Sequence, residues 1–162
     1  MNSLDVIEQI KKAFRDVTLE DGVGILESDA IDGCVSDKRR EQSRKNDYRQ
    51  NWETIPEEVI AENYSALCFM DPKGLRFNLP AYMVFALKNF NTSSSASVDA
   101  AIYALQKEPE ELEDVWKIFT ESQREAIAAF LKFMIIEAGE KCVDSWQASL
   151  AYEKAWAKYD KQ

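Results

Sequence analysis

Apolar positions recur at helical spacing along most of the chain. Ile7, Ile10, Phe14 and Val17 fall three or four apart, and Asn2 or Ser3 can cap the segment. Asp5 and Glu8 lie near its positive end, with Lys11, Lys12 and Arg15 toward the negative end. An amphipathic first helix follows. Glu20-Asp21-Gly22-Val23-Gly24 then reads as a turn, since two glycines so close interrupt any regular element. Ser28 reads as a cap before Asp29-Ala30-Ile31-Asp32. From Asp37 to Arg49 the chain is charged nearly all round, and pairs such as Glu41 with Lys45 favour a solvated helix over a mobile excursion.

Thr54 or Ile55 caps a short helix with Pro56 just inside it. Asp71-Pro72-Lys73-Gly74 has the residue order of a type I turn. Beyond it Leu75, Phe77 and Leu79 alternate with Arg76 and Asn78, the period of a half-buried strand. A β-hairpin is therefore expected over about 66–79, pairing residues 66–70 with 75–79. Pro80 suits the first turn of a helix running through Tyr82, Met83, Val84, Leu87 and Phe90. A polar loop at 91–97 leads to a short helix capped by Ser97, which Glu108-Pro109-Glu110-Glu111 ends. Thr120 and Gln123 have capping-box spacing, and the helix they open carries Ile127, Phe130, Leu131, Met134 and Ile135 in one stripe up to Gly139. A last helix, about 140–159, places Val143, Trp146 and Leu150 on one side, with Tyr152, Trp156 and Tyr159 set around from it. The expected fold is mainly α: five to six helices packed as one domain over 1–162, with one short β-hairpin.

Some of these segments carry a resemblance. Arg76-Phe77-Asn78-Leu79-Pro80-Ala81-Tyr82-Met83, and later Phe119-Thr120-Glu121-Ser122-Gln123-Arg124-Glu125-Ala126-Ile127-Ala128-Ala129-Phe130-Leu131, resemble an uncharacterised bacterial family classed as a domain of unknown function. Ala30-Ile31-Asp32 and Asn51-Trp52 are similar to it as well. The likeness spans roughly residues 20–135 and implies no activity.

Composition changes the picture mainly by exclusion. The chain has 162 residues, 20 Lys and Arg against 29 Asp and Glu, a net charge of −9, no histidine and three cysteines. Without histidine there is no Ser-His-Asp or Cys-His couple and no His-ligated metal within the chain. Acid–base chemistry would fall to carboxylates, Lys, Tyr or Cys. Cys34, Cys68 and Cys142 are scattered, which suits a reducing compartment and small buried side chains better than disulfides. No export signal opens the chain, and no apolar run reaches the roughly 18 residues of a membrane span. The expectation is a cytoplasmic protein with no membrane association. The bases between 38 and 49 sit in a chain of net −9, so nucleic acid is not expected as a partner.

Candidate chemistry is sparse. Asp71, Arg76 and Tyr82 are candidates for an anion or carboxylate clamp beside the helix start at Pro80; the plainer reading is a turn cap, a surface arginine and a core tyrosine. Glu27, Asp29 and Asp32 lack the alternating oxygen ligands of a calcium loop and read as solvated acids near a cap. Gly22-Val23-Gly24 lacks the remaining features of a phosphate loop. No cofactor or metal site is expected. Acidic stretches around Glu57 and Glu58, and around Glu110 and Glu111, can steer a basic protein partner. Tyr152, Trp156 and Tyr159 are the best candidates for an exposed aromatic patch. The leading expectation is a non-enzymatic interaction or regulatory module of the immunity-protein kind. A small-ligand domain or weak enzyme using Arg76, Tyr82 and a nearby carboxylate is the alternative, and a metal enzyme built on carboxylates alone ranks last.

Overall fold

This computed structural model describes residues 2–106, 117–139 and 143–161. Eight α-helices organise them: α1 (Ser3–Ala13), α2 (Ile25–Asp32), α3 (Asp37–Asn46), α4 (Glu57–Glu62), α5 (Pro72–Asn89), α6 (Ser97–Ala104), α7 (Glu121–Phe133) and α8 (Ser145–Ala151). Short 3-10 turns occupy Trp52–Thr54, Ala66–Phe69 and Ala157–Tyr159. Among the described residues there is no strand.

Two helix starts follow from reciprocal caps. Asn2 accepts from the Asp5 amide while Asp5 accepts from the Asn2 amide, and Thr120 and Gln123 do the same for α7. α1 packs between α5 and α7, α5 against α6, α6 against α8, and α8 against α7. Five helices thus close a ring of contacts around a shared apolar core, to which every helix except α3 contributes. α2 and α3 pack on each other outside that ring, and the 66–69 turn joins α2 to it.

The expected hairpin is absent: residues 66–69 form a 3-10 turn and 72–89 a single helix. Asp-Pro-Lys-Gly serves equally well as a helix start. Asp71 is the N-cap, its Oδ1 accepting from the Gly74 amide at 2.9 Å, and Pro72 takes the first helical position, where its missing N–H costs nothing. The strand-like alternation misleads because every residue from Phe77 to Leu87 is buried, so no polar face marks the helical period. Pro80, expected to open a helix, lies in the interior of α5. The count of five to six helices also falls short, since α2, α3 and α4 are separate short elements.

The charged run at 37–46 is a helix with no buried residue. Cys34 and Cys68, expected to be buried, are exposed: Cys34 lies just past α2 at a φ of 49°, and Cys68 lies in the 66–69 turn. Cys142, Glu110, Glu111 and Trp116 fall outside the described residues.

Candidate functional site

The clamp candidates on α5 serve different neighbours. Asp71 Oδ1 accepts from the amides of Gly74 and Val23, the latter at 2.8 Å, and so fastens the 20–24 turn to the start of α5. Arg76 Nε donates to Gln123 Oε1 at 3.1 Å. Buried Gln123 donates in turn to the Ala13 carbonyl at 3.1 Å, tying α1, α5 and α7 at one point. Tyr82 is fully buried and donates to the Asn63 carbonyl at 2.6 Å; burial pushes its hydroxyl well above the ordinary tyrosine range. No hydrogen bond joins these three side chains to one another.

A polar junction that the sequence reading missed lies under α3. Glu27 is 2% exposed, accepting from Arg40 Nε at 3.0 Å and from Arg44 Nη1 at 2.6 Å. Beside it Asp47 caps α2 from outside that helix, its two oxygens accepting from the Leu26 amide at 2.8 Å and the Glu27 amide at 2.9 Å. The helix N-terminus after Gly22-Val23-Gly24 does hold an anion, but an internal one. A Cβ on Gly24 would lie 2.2 Å from the Asp47 Cγ, so the approach needs glycine there. Burial raises the Asp47 carboxyl pKa, with Glu27 adding to that, while the two amide bonds oppose the shift. The legible signal was Arg40 and Arg44, four apart on one helix, which present two guanidinium groups to a single acid.

The acidic face predicted around Glu57 and Glu58 has two parts. Glu57 pairs with Lys88 at 2.9 Å, which holds its carboxyl below the usual range. Glu58 and Glu62, four apart on α4, are exposed and in no ion pair. Directly after α4, Tyr64 is 60% exposed and Phe69 38% exposed. Ser65 Oγ donates to Asp32 Oδ2 at 3.0 Å, and Ser28 Oγ donates to the Ala66 carbonyl, which draws the exposed acids Asp29 and Asp32 to the same side. Glu57 also lines a groove of about 120 Å³ between α1, the 52–54 turn, α4 and α5. Its floor includes Trp52, Ile60 and Phe85, and its charges are already matched as Lys11–Glu53 and Lys88–Glu57 pairs, each at 2.9 Å.

The aromatic candidates at the end of the chain separate. Trp156 is 2% exposed, donates to the Leu105 carbonyl at 3.3 Å and packs edge-on against Phe119, so it belongs to the core and not to a surface patch. Residues Tyr152–Trp156 form a π-helical turn, and the extra residue in that turn rotates the indole inward relative to a regular helix. Among the described residues Trp146, at 68% exposure, is the tryptophan facing solvent. Tyr159 lies partly buried beneath Arg124 and Lys158. Tyr152 donates to Asp160 Oδ2 at 2.6 Å, and Lys132 donates to the same oxygen at 2.7 Å. Burial, then the Asp160 contact, pushes the Tyr152 hydroxyl up to about 12, while Lys132 and Tyr152 hold the Asp160 carboxyl below its ordinary range.

No group of three or more His, Cys, Asp or Glu among the described residues is placed to hold a metal ion. No helix among them is long and apolar enough to cross a membrane.

The profile of a family of unknown function (DUF6714) matches residues 2–160, and the chain belongs to that family. The match takes in α1 and α8, beyond the 20–135 span of the resemblance seen in the sequence. No curated protein and no solved structure matches the chain.

Proposed function

We propose that this member of the family is a non-enzymatic interaction module that engages a basic protein through the face around Tyr64 and Phe69. The observation that supports it is a pair of exposed aromatic side chains, Tyr64 and Phe69, that follow α4 with its exposed Glu58 and Glu62. The Ser65–Asp32 bond ties the same segment to α2 with its exposed Asp29 and Asp32, and none of the four carboxylates is in an ion pair. Unpaired acids draw a basic partner in and set its orientation. Aromatic side chains supply contact area that excludes water, and their ring faces accept Lys or Arg cations. The neighbouring Glu57 is less available, because Lys88 already occupies it.

The test is retention of proteins from the cell lysate on the tagged chain at low and high salt, compared across three forms. These are the wild type, Glu58→Lys with Glu62→Lys, and Glu137→Lys with Glu153→Lys as a control at a distant acidic site. A single stoichiometric partner, lost at high salt and lost with the first pair but kept with the second, is the expected result. Equal retention by both charge-reversed forms would refute the assignment to this face, and no retained protein at low salt would refute the interaction role.

A further inference from the structure

We propose that the groove between the end of α7 and the end of α8 binds a small amphipathic ammonium ion, an alkylamine in chemical class. Two hollows, of about 310 Å³ and about 160 Å³, share Lys132 and Ile136 as lining residues and so adjoin around the same turn. The larger volume is at the lower end of what small-molecule sites provide. Ala129, Phe133, Ile135 and Ile136 supply apolar wall, and Ile136 is left 64% exposed at its margin.

Both walls are π-helical turns, Met134–Ala138 and Tyr152–Trp156, which carry Ile135, Ile136 and Glu137 on one side and Tyr152 and Glu153 on the other. Such turns are rare insertions in helices and concentrate where a binding surface has been reshaped.

The charge decides the ligand. Lys132 is the one cation among the described lining residues, and Asp160 already takes it at 2.7 Å while also accepting from Tyr152. An incoming anion would have to break that pair. Glu137 and Glu153 are exposed lining residues with no ion pair or hydrogen bond of their own, so the groove presents unmatched negative charge on either side of Ile136. A cation with an apolar tail satisfies both features: its ammonium meets a glutamate and its chain covers Ile135 and Ile136.

The probe is n-hexylammonium, with hexanoate and 1-hexanol as arms of equal length. Calorimetry and thermal melting on the full chain should show saturable binding of the amine alone. Glu153→Gln should weaken it about tenfold, and Glu137→Gln with Glu153→Gln should abolish it. Ile136→Ala should also weaken the amine, which a purely electrostatic attraction would not show. Both glutamates are exposed, so the ligand-free melting temperature of these variants should match the wild type and confirm that they are folded. The Glu58→Lys, Glu62→Lys form should bind the amine as the wild type does, which separates this groove from the protein-binding face. Binding of hexanoate as tight as the amine, amine binding unchanged in the double glutamine variant, or no saturation by about 10 mM amine would each overturn the proposal.

Discussion

Replacing Glu27 by Gln should loosen α3 while leaving the ring of helices folded. α3 buries no side chain of its own, so apolar contact cannot hold it; the Glu27 carboxylate does so by accepting from Arg40 and Arg44. Removing one partner of a buried ion pair typically costs about 3–5 kcal/mol. Here the Arg40 and Arg44 side chains are 47% and 36% exposed, so both guanidinium groups can turn to water, and Gln keeps one acceptor oxygen. Arg44 also keeps its 2.6 Å bond to the Asp21 carbonyl. The expected loss is therefore about 2 kcal/mol, or about 4–8 °C in melting temperature for a chain of this size. Glu41→Gln is the control: its 2.8 Å pair with Lys45 has both side chains 65% exposed to screening solvent, and its loss should leave the urea midpoint at the wild-type value. Urea unfolding gives the first number, and hydrogen exchange read on peptides covering 37–46 gives the second. Glu27→Gln should accelerate exchange in α3 by at least about tenfold while α5 and α7 keep their protection. A melting temperature within about 1 °C of wild type, with α3 exchange unchanged, would show that something other than this carboxylate holds the helix.

Four further substitutions have expected outcomes. Gly74→Ala should destabilise by about 3 kcal/mol in urea titration, because its Cβ would lie 2.1 Å from the Val23 carbonyl oxygen. Trp156→Ala should cost about 3–5 kcal/mol by the loss of a core indole. Trp146→Ala should stay within about 0.5 kcal/mol, and acrylamide should quench the fluorescence of Trp146 far more readily than that of Trp156. Tyr152 has a hydroxyl raised to about 12, so its contribution is fully present below the ordinary tyrosine pKa of about 10 and fades as pH rises from there toward 12. The stability difference between wild type and Tyr152→Phe should accordingly shrink across that window, and a difference that stays constant from pH 9 to 12 would contradict the Tyr152–Asp160 contact.

What could be read from the chain beforehand divides along burial. α1 and α7 each open with a reciprocal cap and keep polar residues in their first turns, so period and cap residues agreed. α5 is buried on all sides, and with its polar face gone the sequence retained only a local alternation that a strand would also show. Trp156 went wrong for another reason: a π turn shifts register by one residue, and no residue type announces it. Ser65 bonds to Asp32 from the link between α4 and the 66–69 turn, a contact across 33 residues that spacing along the chain cannot express.

The same contacts show where folding puts the charges of the chain. The bases at 38–49 read as a solvated helix face, yet Arg40 and Arg44 turn inward to Glu27 and Arg49 donates to the Glu20 carbonyl. Lys11, Lys73, Lys88 and Lys132 are likewise engaged by Glu53, by Glu20 and Asp21, by Glu57, and by Asp160. Much of the positive charge therefore holds the chain to itself, while Asp29, Asp32, Glu58, Glu62, Glu137 and Glu153 are in no ion pair. Exposed carboxylates without an ion pair thus remain next to exposed apolar side chains, Glu62 beside Tyr64 and Glu137 beside Ile136. The ligands proposed for both places share one chemistry, a cation with apolar bulk: a side chain of a protein at one and a small amine at the other.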